Sequence, residues 1–215
     1  MSTGMALVWI VGSYLVGSVS FALLFTRLVA RVDLRTVGSG NLGATNAGRA
    51  LGHGWAVVIY ACDFLKGFAP TGIGLWMLEP GAALADGVLP LPMLMGAAAF
   101  FGHCWPFYLG FKGGKGVATA SGVILAVSWP AFVAAMIGFL LSVAIFRMIS
   151  LGSVIGAFVL PIAYLATERR DAVVLPQLAW LTFFTFVTIL VIARHRTNII
   201  RIVEGQEPRV GRKAP

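Results

Sequence analysis

The thirty residues from Val117 to Phe146, VATASGVILAVSWPAFVAAMIGFLLSVAIF, carry no charge and are broken once, at Trp129-Pro130. One helix of that length would run about 45 Å, too long for a bilayer without strong tilt. Two helices would each be short, Val117 to Ser128 especially. Proline fits a turn between two helices because it lacks an amide donor and disfavours helix in the residue before it. Whether this stretch crosses once or twice fixes the sidedness of everything after it.

The rest of the chain shows that lipid is its solvent. Of its 215 residues 59% are hydrophobic and 11% charged, where soluble domains carry about 25% charged residues. Other candidate spans are Met5 to Leu28, Gly54 to Leu78, Val88 to Leu109, Ile149 to Thr167 and Ala172 to Ala193. The unbroken apolar runs argue against a transmembrane barrel, whose strands alternate. The run to Phe25 exceeds a signal-peptide core, so a retained first span is expected.

Charge settles the count. Two crossings in 117–146 make seven, with the N-terminus outside. The inner side then holds Arg27, Arg31, Arg35, Arg49, Lys112, Lys115, Arg147, Arg194, Arg196, Arg201, Arg209, Arg212 and Lys213, 13 of the 16 basic residues. Outside lie Arg169 and Arg170 beside Glu168 and Asp171, and a loop with Glu79 and Asp86. A single crossing would put Arg147 and the basic tail outside, against the positive-inside rule. The expected fold is therefore all-α: one polytopic membrane bundle of seven transmembrane helices spanning 1–215, C-terminus cytoplasmic. The net charge of +8 reflects loops and anionic ligands or lipids rather than nucleic acid.

Seven spans put three polar stretches on one membrane face. The first, Val37 to Arg49 (VGSGNLGATNAGR), holds a formal GxGxxG at Gly38, Gly40 and Gly43, with Asp63 twenty residues on. It is no dinucleotide fingerprint, because membrane spans replace the required βαβ unit. Its local physics still suits an anion. Gly40 and Gly43 let backbone N–H groups converge. Ser39, Asn41, Thr45 and Asn46 add short polar arms, and Arg49 can clamp a phosphate bidentately.

The second stretch, Gly110 to Thr119 (GFKGGKGVAT), sets Lys112 and Lys115 among Gly113, Gly114 and Gly116 at the start of a span, where the helix dipole favours anions. It is not a nucleotide P-loop, since Gly116 follows Lys115. The third, Arg194 to Glu207 (RHRTNIIRIVEGQE), places His195, Asn198 and Arg201 three apart on one face of a continuing helix. Together they could position an oxyanion and move a proton. Glu207 could hold the tail across the loops. Ser150 and Ser153 open the sixth span, as helix caps or as ligand contacts.

Asp63 and Lys66, three apart within a span, should pair or face the bundle interior. His103 is expected as a satisfied interfacial histidine, His53 as a loop-border one, and Cys62 and Cys104 as inert thiols. No metal and no cofactor are expected.

The strings GSGNLGATN, DFLKG, GFKGGKGVAT, SLGS and HRTNIIRIVEGQE occur in the same order along the bacterial acyl-phosphate:glycerol-3-phosphate acyltransferases, the PlsY family, which this chain resembles over its length. The resemblance implies transfer of an acyl group from a fatty acyl phosphate to the first hydroxyl of glycerol 3-phosphate, giving lysophosphatidic acid and phosphate. It implies a site on the cytoplasmic face of a bacterial inner membrane; a monomer is expected. Neither coenzyme A nor acyl carrier protein would be the direct donor, and none of the three histidines has the aspartate of an HxxxxD acyltransferase. Carried onto this chain, the pattern makes Ser39, Arg49, Lys115, His195 and Asn198 the catalytic set. Ser39 and Arg49 would hold glycerol 3-phosphate, Lys112 and Lys115 phosphate groups, and His195 and Asn198 the acyl phosphate. Gly40, Asn41, Gly43, Thr45, Asn46, Gly113, Gly114, Gly116, Thr119, Ser150, Ser153, Arg201 and Glu207 would line the substrates. No carboxylate near His195 in sequence orients it, which favours the leaving phosphate as base. An anion or phosphate-ester transporter is the alternative, disfavoured because only Asp63 and Lys66 lie deep.

Overall fold

The computed structural model describes residues 2–77, 90–168 and 175–211. Among them the secondary structure is helical throughout. The expected outer-loop charges Glu79, Asp86, Arg169, Arg170 and Asp171, and the tail residues Arg212 and Lys213, lie outside the described residues.

Ten α-helices follow in order: α1 (Thr3–Ser18), α2 (Phe21–Ala30), α3 (Ala44–Leu51), α4 (His53–Met77), α5 (Leu91–Cys104), α6 (Val117–Val127), α7 (Trp129–Phe146), α8 (Ile149–Thr167), α9 (Leu175–Arg194) and α10 (Arg196–Val203). Short 3-10 turns occupy Leu34–Thr36 and Phe107–Leu109. The stretch 117–146 forms two helices, as its proline indicated. The Ser128 side chain caps α7 by accepting the Ala131 N–H, with Pro130 in the first turn, where a missing amide costs nothing. Among the described residues five segments are long and apolar enough to cross a bilayer: Thr3–Ala30, His53–Met77, Trp129–Phe146, Ile149–Thr167 and Gln177–Arg194. The other two expected crossings fall on helices of 14 and 11 residues, α5 and α6.

The first span is not one helix. It breaks at Val19, and the Ser20 hydroxyl accepts the Leu23 N–H to restart α2. The Val19 carbonyl, freed from helical pairing, accepts the Lys66 ammonium at 2.7 Å. Tyr108 ties down the same break, accepting the Ser20 N–H at 3.2 Å and donating to the Ser18 carbonyl.

The chain divides into two compact units, Met1–Val127 and Ser128–Pro215. In the first, glycines set the closest helix approaches. A Cβ on Gly17 would fall on the Ala99 backbone, one on Gly102 on the Tyr14 carbonyl, and one on Gly122 on the Phe64 carbonyl. Backbones approach this closely in membranes because packing and polar contacts, rather than water exclusion, drive association. Gly122→Ala should therefore force α4 and α6 apart at a cost of about 1–3 kcal/mol, read as a lower thermal midpoint in detergent.

The second unit packs α7 on α8, with Gly152 against Phe139 and Val143. It packs α8 on α9 through the Thr188 hydroxyl, which donates to the Ala157 carbonyl at 2.6 Å, and an edge-on Tyr164–Phe184 pair. The Ser128 hydroxyl also donates to Glu168 at 3.0 Å.

Candidate functional site

The first polar stretch is a built loop rather than a loose one. Gly38 and Gly40 take positive φ, 56° and 67°, and α3 starts at Gly43 with no side-chain cap. Asn46 is the staple. Its carbonyl accepts the Ser39 N–H at 3.0 Å and its amide donates to the Val37 carbonyl at 2.9 Å. Asn46 is buried and both ends of its amide serve the loop, so the polar arm expected for substrate is structural. Beneath it Leu34, Leu42 and Ala47 form a core cluster with Ala22, Leu23 and Ile59. Ser39, Thr45 and Arg49 remain exposed. The Arg49 guanidinium lies alongside Gly38, where a Cβ would come within 3.6 Å of its Nη1. The Asn41 side-chain carbonyl lies beside Gly43.

The second stretch is anchored to the end of α5. Helix ends leave carbonyls without intrahelical partners. Here the Gly113 N–H bonds the Cys104 carbonyl and the Gly114 N–H bonds the His103 carbonyl, each at 3.1 Å. Those two glycines are expected from the resemblance to line the substrates, and their amides hold the loop to the end of α5. Its glycines answer a steric need: a Cβ on Gly113 would meet the His103 carbonyl, on Gly114 the His103 imidazole, and on Gly116 the Phe100 ring. What the loop offers an anion is ammonium charge, from exposed Lys112 and half-buried Lys115. Leu109, just before this stretch, packs on the cluster that carries Leu34, Leu42 and Ala47. Both glycine-rich stretches therefore sit at the same end of the first unit. Thr119 lies deeper, fully buried, its methyl and carbonyl against the position of Gly67, a helix-packing place.

In the second unit the third stretch is a helix joint rather than a continuing helix. α9 ends at Arg194, His195 sits at the junction, and α10 carries Asn198 and Arg201 on successive turns. Buried His195 places Nδ1 2.7 Å from the Val191 carbonyl. A carbonyl only accepts, so Nδ1 carries the proton, and in the neutral ring Nε2 is the nitrogen with the lone pair. Sequence reasoning looked for a carboxylate to orient this ring and missed the backbone acceptor, which spacing along a helix cannot disclose.

Glu207 closes the tail onto this element. Its Oε1 accepts from the Ser150 hydroxyl and the Asn198 amide, both at 2.6 Å, and its Oε2 from Arg201 Nε at 2.8 Å. Gly205, at φ 70°, makes the return turn, and the Val210 N–H reaches the Arg147 carbonyl at 2.7 Å. A carboxylate so occupied, and repelling phosphate, suits a brace better than a substrate contact. The Ser153 hydroxyl bonds back to the Ile149 carbonyl at 2.9 Å, so neither serine caps α8.

Burial pushes the Glu207 carboxyl up, but hydrogen bonds from Ser150, Arg201 and Asn198 outweigh it and hold it below its ordinary value of 4.5. The brace is then at full strength above that pH and weakens as pH falls toward the depressed folded value. Thermal midpoints of wild type and Glu207→Gln should accordingly converge as the pH falls below the ordinary value of 4.5.

These features define a class: a multi-span membrane protein with glycine-rich, cationic loops for an anionic substrate and a tautomer-fixed histidine. The sequence profile of the family described as glycerol-3-phosphate acyltransferase matches residues 7–205, and the chain belongs to that family of integral membrane acyltransferases. It is 40% identical over 206 residues to the glycerol-3-phosphate acyltransferase of Shouchella clausii (strain KSM-K16), covering 93% of each chain. It is 42% identical over 197 residues to that of Geobacter sulfurreducens (strain ATCC 51573 / DSM 12127 / PCA), covering 92% of this chain and 93% of the relative. Among solved structures it is similar to PlsY (YgiH), an integral membrane glycerol 3-phosphate acyltransferase, in its glycerol 3-phosphate form. The TM-score is 0.85 at 36% identity, covering 97% of this chain and 96% of that one. The lysophosphatidic acid form gives 0.82 at 34%.

Proposed function

We propose that the enzyme acylates the sn-1 hydroxyl of glycerol 3-phosphate from a fatty acyl phosphate, on the cytoplasmic face of a bacterial inner membrane. Lysophosphatidic acid and phosphate are the products, in the first acylation of phospholipid synthesis. The observation that carries this reading is the joining of the two glycine-rich stretches at one end of a unit, offering Ser39, Arg49, Lys112 and Lys115 to a phosphate ester. The charge distribution supports seven crossings with the N-terminus outside, α5 and α6 being the short ones, and under that count the basic tail that carries His195 is cytoplasmic.

Two anionic substrates held by guanidinium and ammonium groups lose their mutual repulsion and their orientational freedom. The glycerol hydroxyl oxygen then attacks the acyl carbonyl carbon, and the bond from that carbon to the phosphate oxygen breaks. The hydroxyl proton passes to His195 Nε2, which the Val191 carbonyl holds as the lone-pair nitrogen, and from there to the departing phosphate. Asn198, braced by Glu207, supplies an amide donor for developing charge. His195→Gln should lower kcat by about 100-fold or more with little change in KM. A variant keeping a tenth of wild-type turnover would assign proton removal to the phosphate itself.

Purified enzyme given glycerol 3-phosphate with acyl phosphate, acyl coenzyme A or acyl carrier protein tests the donor. Product from acyl phosphate alone is the expected result. Equal product from a thioester would overturn the donor assignment.

A further inference from the structure

Asp63, Lys66 and His103 form a charged group inside the apolar part of the first unit, and the chemistry above does not use it. Asp63 Oδ1 lies 2.8 Å from Lys66 Nζ, both side chains only 2% exposed, and 3.7 Å from His103 Nδ1. Charges at such depth are expensive in a bilayer and are functional by default. Apolar side chains of similar volume would pack α4 and α5 at no such cost.

The group connects two places that matter. At one end Lys66 donates to the Val19 carbonyl at the break between α1 and α2 and lies 5.7 Å from the Phe21 ring centroid. At the other end His103 supports the second glycine-rich loop twice. Its carbonyl takes the Gly114 N–H, and its imidazole occupies the space that any side chain at position 114 would need. The next residue is Lys115.

We infer that Asp63, Lys66 and His103 are positioning residues for acyl transfer: the ion pair fixes the His103 ring, and the ring fixes the height at which the loop presents Lys115 to the substrate phosphate. This rests on the assignment of Lys115 to phosphate binding. Asp63 and Lys66 act at a distance through the imidazole and touch no substrate. An apolar residue at 103 could fill the volume, but it would leave ring and loop without the anchor of the buried pair.

The test compares His103→Leu, His103→Asn and Gly114→Ala with wild type. Asparagine keeps a donor for Asp63. Alanine at 114 presses on the ring from the loop side. The readouts are KM for glycerol 3-phosphate against kcat, and the labelling rate of Lys115 by an amine-acetylating reagent, followed by mass spectrometry. His103→Leu and Gly114→Ala should raise KM about tenfold, leave kcat within about threefold and change Lys115 labelling severalfold, with His103→Asn intermediate. A folded His103→Leu or Gly114→Ala with wild-type KM and wild-type Lys115 labelling overturns the inference. So does a loss confined to kcat with labelling unchanged, which marks a purely structural role. Lys115→Gln separates the two levels: an unaltered KM there removes the underlying assignment, whereas a raised KM there with His103→Leu at wild-type values removes this inference alone.

Discussion

Replacing Arg49 with alanine should cut kcat/KM for glycerol 3-phosphate by about 10²–10³-fold, chiefly through KM. Hydrogen bonds to charged groups contribute about 1.5–3 kcal/mol each, and a guanidinium can give two parallel ones to a phosphate. A combined loss of roughly 3–4 kcal/mol corresponds to that range. The geometry makes the residue available: Arg49 is exposed in the last turn of α3 and its stem runs beside Gly38. Lysine should restore only part of the activity, because an ammonium cannot reproduce the planar fork. Steady-state kinetics at saturating acyl donor give the answer, and an alanine variant within threefold of wild type would remove Arg49 from the site.

Glu207→Ala is expected to damage stability and turnover together. It strips the Asn198 amide, the Ser150 hydroxyl and the Arg201 guanidinium of one shared acceptor. The Glu207 side chain is 4% exposed and that of Arg201 34%, so water compensates Arg201 in part and the two neutral donors hardly at all. The destabilisation should be about 2–4 kcal/mol, seen as a fall in thermal midpoint. Turnover should drop about 100-fold because Asn198 loses its orientation. Glu207→Gln keeps an acceptor oxygen and should lie between. Wild-type kcat in the folded alanine variant would show that the tail contact is incidental to chemistry.

Much of this was legible before any coordinates. The apolar runs marked the helices, Ser128-Trp129-Pro130 marked the division of α6 from α7, and the strings around Ser39, Lys115 and His195 marked the family. What local pattern could not reveal were contacts made across sequence distance. Asn46 looks like a substrate arm in GATN, yet its partners are the backbone of Val37 and Ser39. Gly113 and Gly114 look like substrate-lining glycines, yet their amides satisfy the end of α5. His103 looks interfacial beside Trp105-Pro106, yet it is buried against Asp63. The expected single first span breaks at Val19, where a lysine 47 positions away takes the freed carbonyl.

The sequence by itself determined that the chain lives in lipid and where most of its long apolar helices lie, because hydropathy, charge asymmetry and glycine content are local properties that act before packing does. Tertiary structure alone decided which polar groups are consumed as struts, Asn46, Glu207 and the Gly113 and Gly114 amides among them. A buried donor or acceptor must find a partner, and in an apolar medium the nearest one in space, rather than in sequence, takes it.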